Sequence, residues 1–109
     1  MAVVLIARFA GDVEQLTAAY DMAHRIIMDR GGAPGELRHH CAVDEDALYI
    51  ITVWESETAV RARWASPEFE AVLASGGFPS PRTAEISILQ LHATEPPLSV
   101  GGEGAHERS

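Results

Sequence analysis

The chain predicts an α+β domain with the element order β-α-β-β-α-β. Three observations carry that reading. Apolar residues alternate with a period of two in four segments, recur every three or four residues in two others, and are separated by glycine and proline punctuation. The change of period is plainest from Ala47 to Leu73, where Leu48, Ile50, Thr52 and Trp54 alternate with Tyr49, Ile51 and Val53 before Val60 and Trp64 fall four apart.

Taken in order, Met1 to Phe9 reads as a central strand, with Val3, Leu5, Ala7 and Phe9 on one face and Val4 and Ile6 on the other. Gly11 ends it. Asp12, with Gln15 three residues on, makes a capping-box-like start for a helix whose apolar positions are Val13, Leu16, Tyr20, Ala23 and Ile27. Gly31-Gly32 and Pro34 stop that helix. Glu36 to Val43 then alternates Leu37, His39, Cys41 and Val43 against Glu36, Arg38, His40 and Ala42, the pattern of an edge strand with one buried face. Asp44-Glu45-Asp46 turns the chain into the strand starting at Ala47, so the two pair as a hairpin. Those carboxylates read as a solvated tip, because the glycine and distant glutamate of an EF-hand are absent.

The second helical region breaks near Ala65, since Pro67 lacks an N–H for an interior position and Ser66 caps a fresh start bearing Phe69, Val72 and Leu73. Ser75-Gly76-Gly77 ends it, Pro79 and Pro81 stiffen the connector, and Glu85 to Ala93 reads as the last strand. This order is the split βαβ arrangement of ferredoxin-like domains, a four-stranded antiparallel sheet with its helices on one side. The other sheet face is also apolar, more than a soluble monomer usually exposes, so a homodimer with sheet facing sheet is expected.

Length and composition set the remaining bounds. At 109 residues the chain suits one domain, 1–95, followed by a tail, 96–109, too rich in glycine and polar residues to bury much and mobile unless a partner orders it. No apolar run reaches the roughly 20 residues of a membrane span, and MAVVLIARF has no basic region before it, so neither a membrane segment nor a secretory signal is expected. The single Cys41 points to a reducing, cytoplasmic compartment. A net charge of −8 and a pI near 4.9 oppose binding to nucleic-acid phosphates.

Val53-Trp54-Glu55-Ser56 after the hairpin, and Ser66-Pro67-Glu68-Phe69 after the helix break, resemble the dimeric α/β-barrel superfamily and, within it, the antibiotic biosynthesis monooxygenase (ABM) type. The resemblance covers about residues 1–95 and implies two ferredoxin-like sheets paired into a barrel. It also implies an aromatic or polyketide-like ligand between sheet and helices, handled without a cofactor by some members. The haem-degrading branch carries an asparagine late in the first strand and a haem-ligating histidine beyond a tryptophan of the second helical region. Here Ala7 stands at the first position, Trp64 is offset by about one residue, and no histidine lies between His40 and His92.

No GxSxG, HExxH, CxxC or Walker pattern occurs, and no metal site is expected. His39 and His40 are adjacent on a strand, so they face opposite ways and do not chelate together. His39 and His92, at strand positions where relatives carry histidine, are the candidates for proton transfer, a neutral imidazole serving as base toward a phenolic substrate. The plainer reading makes His39 a hydrogen-bonded core or edge histidine and His92 a surface one, and it is the favoured reading of each. Trp64, Trp54, Tyr20 and Tyr49 are the candidate pocket residues, with His24 at the flank, although both tryptophans could as well fill core or interface. Cys41 reads as a small buried hydrophobe, and Arg61 with Arg63 as a solvated helix face. Three functions stay open: a cofactor-independent monooxygenase, a non-catalytic dimeric small-molecule-binding or structural module, and a haem binder or cyclase.

Overall fold

The computed structural model describes residues 1–98. Its elements are β1 (Val3–Ala10), α1 (Val13–Asp29), β2 (Glu36–Val43), β3 (Ala47–Trp54), α2 (Glu57–Trp64), α3 (Pro67–Ser75), a 3-10 turn (Pro81–Thr83) and β4 (Glu85–Gln90). The strands form one antiparallel sheet in the order β2-β3-β1-β4, the ferredoxin-like arrangement expected. No helix among the described residues is long and apolar enough to cross a membrane.

Local chemistry places the helices as the punctuation implied. Asp12 Oδ1 accepts from the backbone N–H of Glu14 at 3.0 Å, Ser56 Oγ from Ala59 at 3.1 Å and Ser66 Oγ from Phe69 at 3.2 Å, each occupying an orphan donor of a first turn. Pro67 sits at the start of α3, where its missing N–H costs nothing. The core lies where the helices meet the Val3, Leu5, Ala7, Phe9 face of β1 and the Leu48, Ile50, Trp54 face of β3. Leu16, Ala23, Val60, Phe69, Val72, Leu73 and Phe78 close it from the helix side. On the opposite sheet face stand Val4, Ile6 and Ile51, half buried, with Leu89 54% exposed.

Two departures from simple alternation matter. Leu37 is an extra residue in β2, because Glu36 pairs with Trp54 while Arg38 pairs with the next residue, Val53. The resulting bulge moves Glu36 onto the helix side of the sheet, the side of His39, and leaves Leu37 44% exposed, reversing the faces expected of both. Strand β4 stops at Gln90, short of Ala93: Leu91 donates to the Ala2 carbonyl, beyond which β1 offers little more to pair with. Arg38 then holds the departing chain, donating to Thr94 Oγ1 at 3.0 Å and to the Pro96 carbonyl at 2.7 Å. The segment expected to be loose from 96 is therefore tied at its first residues, and 99–109 lies outside the described residues.

Gly35 prepares the bulge. Its φ of +86° is one that other residues rarely adopt, its carbonyl accepts from Glu55 N–H at 2.8 Å, and a Cβ there would lie 2.8 Å from that of Ala59. Gly35→Ala is expected to lower stability by about 2 kcal/mol or more, the sum of left-handed strain and overpacking, read as a lower urea midpoint. An unchanged midpoint would show that this turn relaxes freely.

Candidate functional site

The cleft opens between α1, the β2–β3 half of the sheet and the α2–α3 pair. Its inner part is a cavity of about 50 Å³, with Ile27, Ile50, Trp54, Trp64, Phe69 and Leu73 among its walls. Outside it lies an open groove of about 520 Å³. Tyr20, His24, Glu36 and His39 belong to both and form the neck between them. The inner space suits a few water-sized atoms, whereas a benzene ring needs about 150 Å³, so a ring rests in the groove unless the helices part.

The neck is a hydrogen-bonded chain. Glu36 Oε2 lies 2.8 Å from His39 Nδ1, and Tyr20 Oη lies 2.6 Å from His39 Nε2. A carboxylate can only accept, so Nδ1 carries a proton, and in the neutral form of the ring Nε2 is the acceptor left for the Tyr20 O–H. Helical spacing brings Tyr20 and His24 to the same side of α1, where their rings stack at 5.3 Å, and His24 lies 5.0 Å from the His39 ring. Burial pushes the Tyr20 phenol well above its ordinary value, reinforced by the charges of Cys41, Glu36 and Asp21. Burial, with His39 nearby, lowers the His24 imidazole, and burial raises the Cys41 thiol.

The Tyr20 shift has a definite sign. The fold favours the protonated phenol, so its contribution to stability is complete below the unfolded value of about 10 and is lost as pH rises above it. In an alkaline titration one of the two tyrosines should therefore ionise late, together with unfolding, and Tyr20→Phe should remove that late phase. Both phenols ionising together near the ordinary value would contradict the burial.

Of the residues singled out from sequence, Tyr20, His39, Trp54 and Trp64 converge on the cleft. Trp54 is a floor residue, 1% exposed, whose indole N–H donates to Thr52 Oγ1 at 2.7 Å. Trp64 is half buried, stacked on Phe9 at 6.3 Å and edge-on to Phe69 at 5.5 Å. Two assignments are corrected. Tyr49 is on the other sheet face, where its hydroxyl donates to Asp44 Oδ2 at 2.7 Å and accepts from Arg8 Nε at 3.3 Å, because strand alternation turns it away from Leu48 and Ile50. His92 is exposed beyond the end of β4 and lines neither part of the cleft.

Sequence reasoning passed over Glu36, hidden by the bulge, and Arg63, read as solvated. Only Arg61 fits that description, paired with Glu57 at 2.6 Å along α2; Arg63 turns inward and places its guanidinium carbon 4.5 Å over the Phe69 ring. The one available signal was spacing: Val60, Arg63 and Trp64 fall on one helix face. Among the described residues no group of three or more His, Cys, Asp or Glu is placed to hold a metal ion.

No family model matches the chain, and no curated protein matches it. Solved structures do. SnoaB, a cofactor-independent oxygenase from Streptomyces nogalater, is 21% identical with a TM-score of 0.62, over 87% of this chain and 97% of that one. A Deinococcus radiodurans protein, provisionally described as an antibiotic biosynthesis monooxygenase, is 12% identical with a TM-score of 0.60, over 84% and 94%. The haem-degrader MhuD from Mycobacterium tuberculosis is 21% identical with a TM-score of 0.53, over 86% and 98%. The chain has the ferredoxin-like fold of these ABM-like proteins, as its VWES and SPEF segments led one to expect.

Proposed function

We propose, from a fold shared with a cofactor-independent oxygenase, that this chain is itself an ABM-type monooxygenase acting on a small aromatic or polyketide-type molecule. The observation that carries the reading is the Glu36–His39–Tyr20 chain, set where an apolar cavity meets an open groove. Such a neck suits proton abstraction from a flat, weakly acidic substrate. The substrate rests in the groove against the Tyr20 and His24 rings, and its acidic group takes the place of the Tyr20 hydroxyl at His39 Nε2. His39 accepts the proton, and Glu36 holds the imidazole in orientation and offsets its new charge. Tyr20, with its phenol held protonated, gives way to the substrate and does not act as a base. The resulting carbanion passes its electrons to dioxygen, a C–O bond forms, and the hydroperoxide loses water. For an anthrone-like methylene the balance is CH₂ plus O₂ giving C=O plus H₂O. Trp64 and its apolar neighbours keep bulk water from the anion.

Oxygen-electrode measurements with anthrone test this. Enzyme-dependent uptake, with one dioxygen consumed per quinone formed, is expected, and uptake no faster than in buffer overturns the reading. The small inner cavity favours the alternative of a binding module without turnover, for which saturable ligand binding would come with no oxygen uptake.

We also propose that a second copy of the chain covers the open sheet face, where Val4, Ile6, Ile51 and Leu89 lie together. Light scattering should then give about twice the chain mass of 11.8 kDa, and Ile51→Arg, which buries a charge in that interface, should give the single mass. A wild-type protein already at the single mass would remove the proposal.

A further inference from the structure

The inner cavity contains hydrogen-bond donors that the proton-transfer chain does not use. Thr52 is 1% exposed and lines the cavity, and its oxygen accepts from the Trp54 indole. Its own O–H therefore remains to be donated, and among the described residues no acceptor is placed for it. Arg63, half buried, lines the same space. Among the described residues no carboxylate lies within salt-bridge distance of its guanidinium; Arg8, Arg30, Arg61 and Arg82 each have one, while Arg25, also without one, is exposed and Arg38 donates to Thr94 and Pro96. Glu36, the carboxylate lining this cavity, is hydrogen-bonded to His39. A half-buried cation and a buried hydroxyl with a proton to give are an acceptor site for an anion.

We propose that Arg63 and the Thr52 hydroxyl form a carboxylate subsite, so that the molecule accepted by the cleft is an aromatic acid whose ring stays in the groove and whose carboxylate enters the cavity. Size agrees: about 50 Å³ holds the atoms of a carboxylate but not a ring. Binding there offsets the desolvation that lowers the Arg63 pKa. The net charge of −8 repels anions elsewhere on the surface, so a preference for an anionic ligand has to come from a local site. This inference deepens the reading of the cleft as a substrate site and rests on it.

Calorimetric titration with 2-naphthoate and with its neutral isostere 2-naphthamide, on the full chain in moderate salt, tests the subsite. The wild type is expected to bind the acid about tenfold more tightly than the amide, the value of one charge-assisted contact. Arg63→Gln should abolish that preference while leaving amide affinity within about twofold, which also shows the variant is folded, and Arg61→Gln should retain it. Equal affinities in the wild type, no saturable binding of either compound, or a preference that survives Arg63→Gln overturns the inference. Because the readout needs no turnover, an acid preference without oxygen uptake removes the oxygenase reading and leaves the subsite standing. Uptake without an acid preference does the reverse.

Discussion

Replacing His39 by alanine is expected to reduce substrate-dependent oxygen uptake by about 10²- to 10⁴-fold, the usual worth of a positioned general base. The size of the effect follows from the geometry of the neck. His39 has a carboxylate at one ring nitrogen and a displaceable phenol at the other, so the variant loses both the proton acceptor and the group that Glu36 orients. Glu36→Gln keeps the shape but permits the other tautomer, and a loss of at least about tenfold is expected. Tyr20→Phe removes only the hydroxyl that substrate displaces, and should cost less than either. Steady-state oxygen uptake on the three variants, each matched to wild type by thermal melt, supplies the ranking. Full activity in His39→Ala would end the proposed mechanism, and full activity in Glu36→Gln would show that the imidazole needs no orienting partner.

The largest loss of stability is expected from Trp54. Trp54→Ala removes a wholly buried indole and should cost about 3–5 kcal/mol, a large part of the roughly 5–15 kcal/mol that holds a domain of this size together. The indole is also half of a buried pair with Thr52. Thr52→Val leaves the indole N–H without a partner at a cost of about 1–3 kcal/mol, and Trp54→Phe leaves the Thr52 oxygen in the same position. The double variant Thr52→Val/Trp54→Phe removes both ends together, so it should be destabilised by less than the sum of the two single changes. Urea unfolding of the four proteins closes the cycle. Strict additivity would mean that the 2.7 Å contact contributes nothing, and a mild Trp54→Ala would identify Trp54 as a replaceable pocket wall instead of part of the core.

How much of this was legible beforehand depends on the range of the interaction concerned. Strand and helix periods are local, and the capping residues Asp12, Ser56 and Ser66 act within three residues of themselves, so the elements, their order and the break at Pro67 could be read along the chain. Convergence of Tyr20 and His39 was partly legible, since each sat on the apolar side of its own element. Tyr49 was misplaced although its alternation was visible, because pocket membership was inferred from its aromatic character and not from its face. His92 was misplaced because the end of a strand is set by its neighbour, and β1 has little left to pair beyond Ala2.

By itself the sequence determined the periodic elements and the ferredoxin-like order, for these follow from residue spacing and short-range sterics, whereas both faces of the sheet read as apolar and only the packed helices chose the side on which the core collects. Only the tertiary structure decided that Leu37 would bulge, that Glu36 would thereby reach His39, and that Arg63 would turn inward over Phe69 while Arg61 stayed with Glu57. Each of the decided features depends on a partner distant in the chain, such as Trp54 across the ladder or Ala59 against Gly35, and no window of neighbouring residues contains both members.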